Sequence, residues 1–90
     1  MDYKKIDAAL AGTLKDADDP RERCFILVIK TFRVLNHDEA NILKALGAKG
    51  DANDQLFTAT LSMNEIDKLS EYDWIQSIRL SRKLHFSGYD

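Results

Sequence analysis

Two histidines, one cysteine and a cluster of aspartates carry whatever reactive chemistry this 90-residue chain can offer. His37 and His85 are the acid–base candidates, because imidazole alone titrates near neutral pH. His37 stands beside Asp38 at the start of a helical pattern, the place of a solvated residue. His85 has no serine or cysteine at a spacing that would single out a nucleophile. No nucleophile, base and orienting group come together in the pattern. Cys24 opens the apolar run CFILVIK, which suits a buried, inert thiol better than a reactive thiolate. A single cysteine also excludes an internal disulfide and a paired-cysteine metal loop. Asp16, Asp18 and Asp19 offer oxygens to a hard cation, but the glycine and final glutamate of a calcium loop are missing. They read as a solvated acidic linker. The chain is therefore expected to be a non-enzyme with no metal and no cofactor.

Those residues must sit on some scaffold. Hydrophobic residues make up 44% of the chain and charged residues 31%, the balance of one small globular domain rather than a disordered segment. The net charge of −2 predicts no bulk attraction to nucleic acid or to an anionic membrane. No apolar run approaches the roughly 20 residues of a membrane span. Charges interrupt the first residues, so no signal peptide is expected and a cytoplasmic location follows.

Residues 1–15 predict an amphipathic helix, with Ile6, Leu10 and Leu14 on one face and Asp2 as N-cap. Residues 16–23, with the single proline Pro20, are a linker. Residues 24–90 hold the main domain. CFILVIKTFRVL predicts a strand that is apolar on both sides: Phe25, Leu27 and Ile29 on one, Ile26, Val28, Phe32 and Val34 on the other. That pattern implies a central strand with a layer on each side. NHDEANILKALGAKG carries a capping box at Asn36 and Glu39, and Gly47 to end the helix. A poor edge strand, a turn over Gly50–Asp54 and the strand QLFTATL follow. Ser62 and Glu65 form a second capping box, with Ile66 and Leu69 facing the core. In the last strand, Trp74 to Leu84, Ile75 and Ile78 are three apart. A flat strand cannot place them on one side, so Ile75 is expected at the strand's entry, or a bulge is expected there. The order strand, helix, strand, strand, helix, strand is α+β. It is the ferredoxin-like split βαβ pattern: a four-stranded antiparallel sheet with two helices on one face, here with an added N-terminal helix.

That architecture hosts many functions, so the surface must decide. An RNA-binding sheet shows aromatics and cations on its central strands; LFTATLS offers one phenylalanine and no Lys or Arg. A small phosphatase needs a glycine-rich phosphate loop, which RVLNHDEA lacks. Binding remains. Two features exceed structural need: the apolar side of the central strand away from the helices, and the tail SRKLHFSGYD with spaced Leu84, Phe86 and Tyr89. The plain alternatives are that the N-terminal helix covers the first and that the second frays.

FILVIKTF, LNHDEANILKALGA and LFTATLSMNEIDKLSEYDWIQSIRLSRKL together resemble the propeptide family of subtilisin-like serine proteases, which includes stand-alone inhibitors. The resemblance covers about residues 24–86 and rests on Leu46-Gly47, Leu69 and the Ile75–Ile78 pair. It implies a subtilisin-like serine protease as partner, with the chain acting as inhibitor or folding assistant. It further implies that the open sheet face packs on the protease and that the C-terminal segment lies in the substrate groove as an extended strand. Leu84 then falls at an apolar pocket, with His85, Phe86 and Ser87 following. Family members place acids where this chain has Arg79 and Ser81, so Arg79, Arg82 and Lys83 favour a partner with acidic residues. The alternative is an interaction or homodimerisation module without protease inhibition.

Overall fold

The computed structural model describes residues 1–15, 19–51 and 55–83. The elements are α1 (Ala8–Lys15), β1 (Phe25–Thr31), α2 (His37–Ala45), β2 (Lys49–Asp51), β3 (Leu56–Leu61), α3 (Met63–Ser70) and β4 (Ile75–Lys83). The four strands form one antiparallel sheet in the order β2-β3-β1-β4. With two helices between the strands, this is the ferredoxin-like α+β arrangement.

The helices begin where their caps dictate. Asn36 Oδ1 accepts the Glu39 N–H at 2.8 Å, and Glu39 Oε1 accepts the Asn36 N–H at 3.1 Å. Ser62 and Glu65 make the same reciprocal pair at 3.2 and 3.0 Å. Each box satisfies two amides that the helix itself cannot. After α2 the chain turns at Gly47, whose φ of +79° is costly for any residue with a Cβ.

The helices cover one side of the sheet. Phe25, Leu27 and Ile29 of β1, with Phe57, Ala59 and Leu61 of β3, are buried there against Leu43, Ile66 and Leu69. β4 joins them by an irregularity. Ile75 pairs with Thr31 and Ser77 with Lys30, so Gln76 is an extra residue. That bulge turns both Ile75 and Ile78 into the core, where neither has any exposed surface.

The N-terminal segment departs from expectation twice. α1 starts at Ala8, not beside Asp2, and its N-cap is Asp7, whose Oδ1 accepts the Leu10 N–H at 3.1 Å. Asp2 instead closes a turn on the Lys4 N–H. The cause is β4. The Ile78 N–H donates to the Lys5 carbonyl at 2.7 Å, and the Asp7 N–H donates to the Ile78 carbonyl at 3.3 Å. Backbone drawn into such a bridge is extended and cannot be helical. The second departure concerns the layer expected on each side of β1. Ile6, Leu10 and Leu14 belong to the same buried cluster as Phe25 and Leu61. α1 therefore lies beside β4 on the covered side, and no described element lies over the other side of the sheet.

Candidate partner-binding surface

On the uncovered side, cross-strand register aligns Lys49, Thr58, Val28 and Arg79 in one row across all four strands. The next row holds Thr60, Ile26 and Arg82, and the one before it Asp51, Leu56, Lys30 and Ser77. Ile26 and Val28 are half-buried, and Leu56 is 49% exposed. Lys30, Lys49, Arg79 and Arg82 are exposed. Phe32 and Val34, 61% and 48% exposed, follow the end of β1. A shallow hollow of about 170 Å³ opens among Ile26, Lys49, Thr58 and Thr60. The face is thus an aliphatic strip along β1 with cations to either side.

A second bulge shapes the cationic side. Leu80 pairs with Leu27 and Arg82 with Ile26, leaving Ser81 as the extra residue. Regular alternation from Arg79 would have turned Arg82 inward. The bulge keeps Arg79 and Arg82 on the open face, three residues apart.

These four cations differ from the paired ones. The Arg33 guanidinium grips both Glu39 oxygens at 2.5 Å and holds that carboxyl below its ordinary range, against the opposing effect of burial. Burial would push Glu65 up, but the Arg23 guanidinium at 2.7 and 2.9 Å and the Ser62 amide outweigh it, so the carboxyl is also lowered. Among the described residues no carboxylate lies within ion-pair distance of Lys30, Lys49, Arg79 or Arg82. Asp38 of α2, Asp67 of α3 and Glu71, the C-cap of α3, belong to the helix layer.

Of the site residues expected from sequence, Arg79 and Arg82 are brought together on this face. Ser81 is the exposed bulge residue between them. Lys83 pairs with Phe25 as the last residue of β4. Leu84, His85, Phe86 and Ser87 lie outside the described residues. Sequence reasoning missed Lys30 and Lys49. Alternation along β1 from Ile26 and Val28 was enough to find Lys30; Lys49 needs the β2–β3 register.

Among the described residues neither candidate for reactive chemistry lies on the face. His37 is the exposed first residue of α2, and Cys24 is buried. Among the described residues no group of three His, Cys, Asp or Glu side chains is placed to hold a metal ion, and no helix is long and apolar enough to cross a membrane. A groove of about 330 Å³ lies between α2 and α3, lined by Ile42, Leu46, Leu69 and Tyr72, and one of about 430 Å³ lies among Ala40, Leu43, Lys44, Lys49 and Phe57. Comparison with protein-family models, curated proteins and solved structures finds no match.

Proposed function

We propose that this chain is a non-enzymatic, propeptide-like binding domain that engages another protein through its open sheet face and C-terminal tail. The candidate partner is a subtilisin-like serine protease, toward which the domain acts as inhibitor or folding assistant. The observation that carries the reading is the uncovered strip of half-buried Ile26 and Val28 and exposed Leu56, between cations that have no ion-pair partner among the described residues. The chain's own N-terminal segment, which had the apolar side chains to cover that strip, packs elsewhere. A contiguous, uncovered sheet face of this kind is a usual mark of an interaction site. β4 leads directly from it into residues 84–90, which suits a segment that pairs in extended form with a groove.

Arg79 supports the alternative reading, an interaction or homodimerisation module without protease inhibition. It stands where propeptides present an acid to a helix N-terminus, and a cation there is unfavourable. A subtilisin-type inhibition assay separates the two. The full chain is expected to inhibit, and a chain ending at Lys83 to lose most of that inhibition. Equal inhibition by both, or none by either, overturns the protease reading.

A further inference from the structure

We infer that the groove between α2 and α3 binds a free aliphatic carboxylate, its tail lying along the helices and its head at Lys68. The inference goes beyond the reading of the open sheet face and does not depend on it. α2 and α3 do not pack closely along their lengths, which leaves about 330 Å³ between them, inside the roughly 300–1,000 Å³ range of small-molecule pockets. Ile42, Ala45 and Leu46 form one wall, and Leu69 and Tyr72 the other. The Tyr72 wall is fixed in advance. Its ring stacks on Trp74 at 5.0 Å, its N–H donates to the Leu69 carbonyl at 3.2 Å, and its carbonyl accepts the Lys5 ammonium. A ligand there has little left to order, which favours its binding.

Charge gives the ligand its direction. β1 and β3 are antiparallel, so α2 and α3, which follow them, run in opposite directions. Arg33, before α2, accordingly lies within electrostatic reach of Asp73, after α3. Ile42 and Tyr72 thus mark one end of the groove, and Leu46, Glu65 and Lys68 the other. At the second end the Lys68 ammonium has no carboxylate within ion-pair distance among the described residues. Its acidic neighbours on the helix are engaged: Glu65 by the Arg23 guanidinium at 2.7 and 2.9 Å, and Glu71 by the Met1 amine at 3.0 Å. At the first end Arg33 is committed to Glu39, and the exposed Asp38 and Asp73 repel an anionic head. Shape selects an alkyl chain over a helix. A docked helix needs apolar anchors from i to i+7, about 10.5 Å of wall, whereas Ile42 to Leu46 is one turn, about 6 Å.

The test titrates the 90-residue chain by calorimetry with dodecanoate, dodecyltrimethylammonium and acetate, below micelle-forming concentrations, and locates binding by amide chemical shifts. Dodecanoate is expected to bind at least tenfold more tightly than the cationic surfactant, and acetate not to bind. The shifts should concentrate at Ile42, Leu46, Leu69 and Tyr72. Lys68→Glu should weaken dodecanoate binding tenfold or more, and Lys68→Gln by less. Ala45→Trp, which fills the groove from an exposed position, should abolish it, with circular dichroism confirming that all three variants fold. Two controls should change binding less than twofold: Lys44→Glu, on the other flank of α2, and Arg79→Glu with Arg82→Glu, on the open sheet face. Equal binding of the two surfactants, an equal loss in either control, or shifts confined to the sheet face overturns the inference. So does tighter binding of a leucine-striped synthetic helix in the same groove, or binding of anionic phosphatidylglycerol vesicles in place of dissolved dodecanoate.

Discussion

The carboxylate of Asp7 accepts the backbone N–H of Leu80 at 3.3 Å, across 73 positions of sequence. The same oxygen caps α1 through the Leu10 N–H. One side chain thus starts a helix and occupies an outward-facing amide of an edge strand, next to the Lys5–Ile78–Asp7 backbone bridge. Edge amides left open invite pairing with other chains. Asp7→Ala should cost about 1–2 kcal/mol in urea unfolding, the range of a lost N-cap. Asp7→Asn, which keeps an accepting oxygen, should recover most of it. A neutral Asp7→Ala would show that neither bond matters.

Leu10 tests whether α1 is part of the domain or a detachable arm. It is fully buried in the common core. Leu10→Ala should therefore destabilise the whole chain by about 2–5 kcal/mol in a single cooperative transition. A loss below about 0.5 kcal/mol, or a separate early transition, would mean that α1 docks only loosely. The open face would then be available to it.

Acid sensitivity follows from the two glutamates that Arg33 and Arg23, and after them the cap amides, hold ionised. Glu39 and Glu65 are held below the ordinary glutamate value of 4.5, so folding favours their ionised forms. Their contribution is complete above pH 4.5 and is lost as pH falls through the lowered values. Stability should decline on acidification, with Glu39→Gln already weaker at neutral pH and less dependent on pH below 4.5. An unchanged acid limb in Glu39→Gln would contradict the Arg33 assignment.

What the sequence disclosed depended on the range of each interaction. The pairs Asn36–Glu39 and Ser62–Glu65 act across three residues and are complete in the local pattern. The Ile75–Ile78 spacing pointed to an entry position for Ile75 or to a bulge, and pairing with β1 decides for the bulge. Asp7 could not be identified this way, because its role is set by Leu80, and Asp2 looks the better cap until β4 pulls residues 5–7 straight. The layer expected over Ile26 and Val28 failed for a similar reason: the same apolar stripe on α1 suits either side of the sheet. The cationic face stayed hidden because it is spread over four strands, and register alone brings Lys49 level with Arg79.

The β4 bulges yield the sharpest test of register. Deleting Gln76 leaves Ile75 opposite Thr31 and Ser77 opposite Lys30, with the strand now alternating regularly and both isoleucines still inward. This deletion should keep the fold and change stability by no more than about 1 kcal/mol. Deleting Thr58 removes a residue from the unbroken β1–β3 ladder, where Phe57, Ala59 and Leu61 share the buried side. It turns one part of β3 over relative to the other, so Phe57 and Leu61 can no longer both face the helices. Cooperative unfolding should then be lost. Both chains can be compared by urea denaturation and amide hydrogen exchange. If the two deletions prove equally damaging, Gln76 is held in place by more than the bulge, and the account of how β4 buries Ile75 beside Ile78 is wrong.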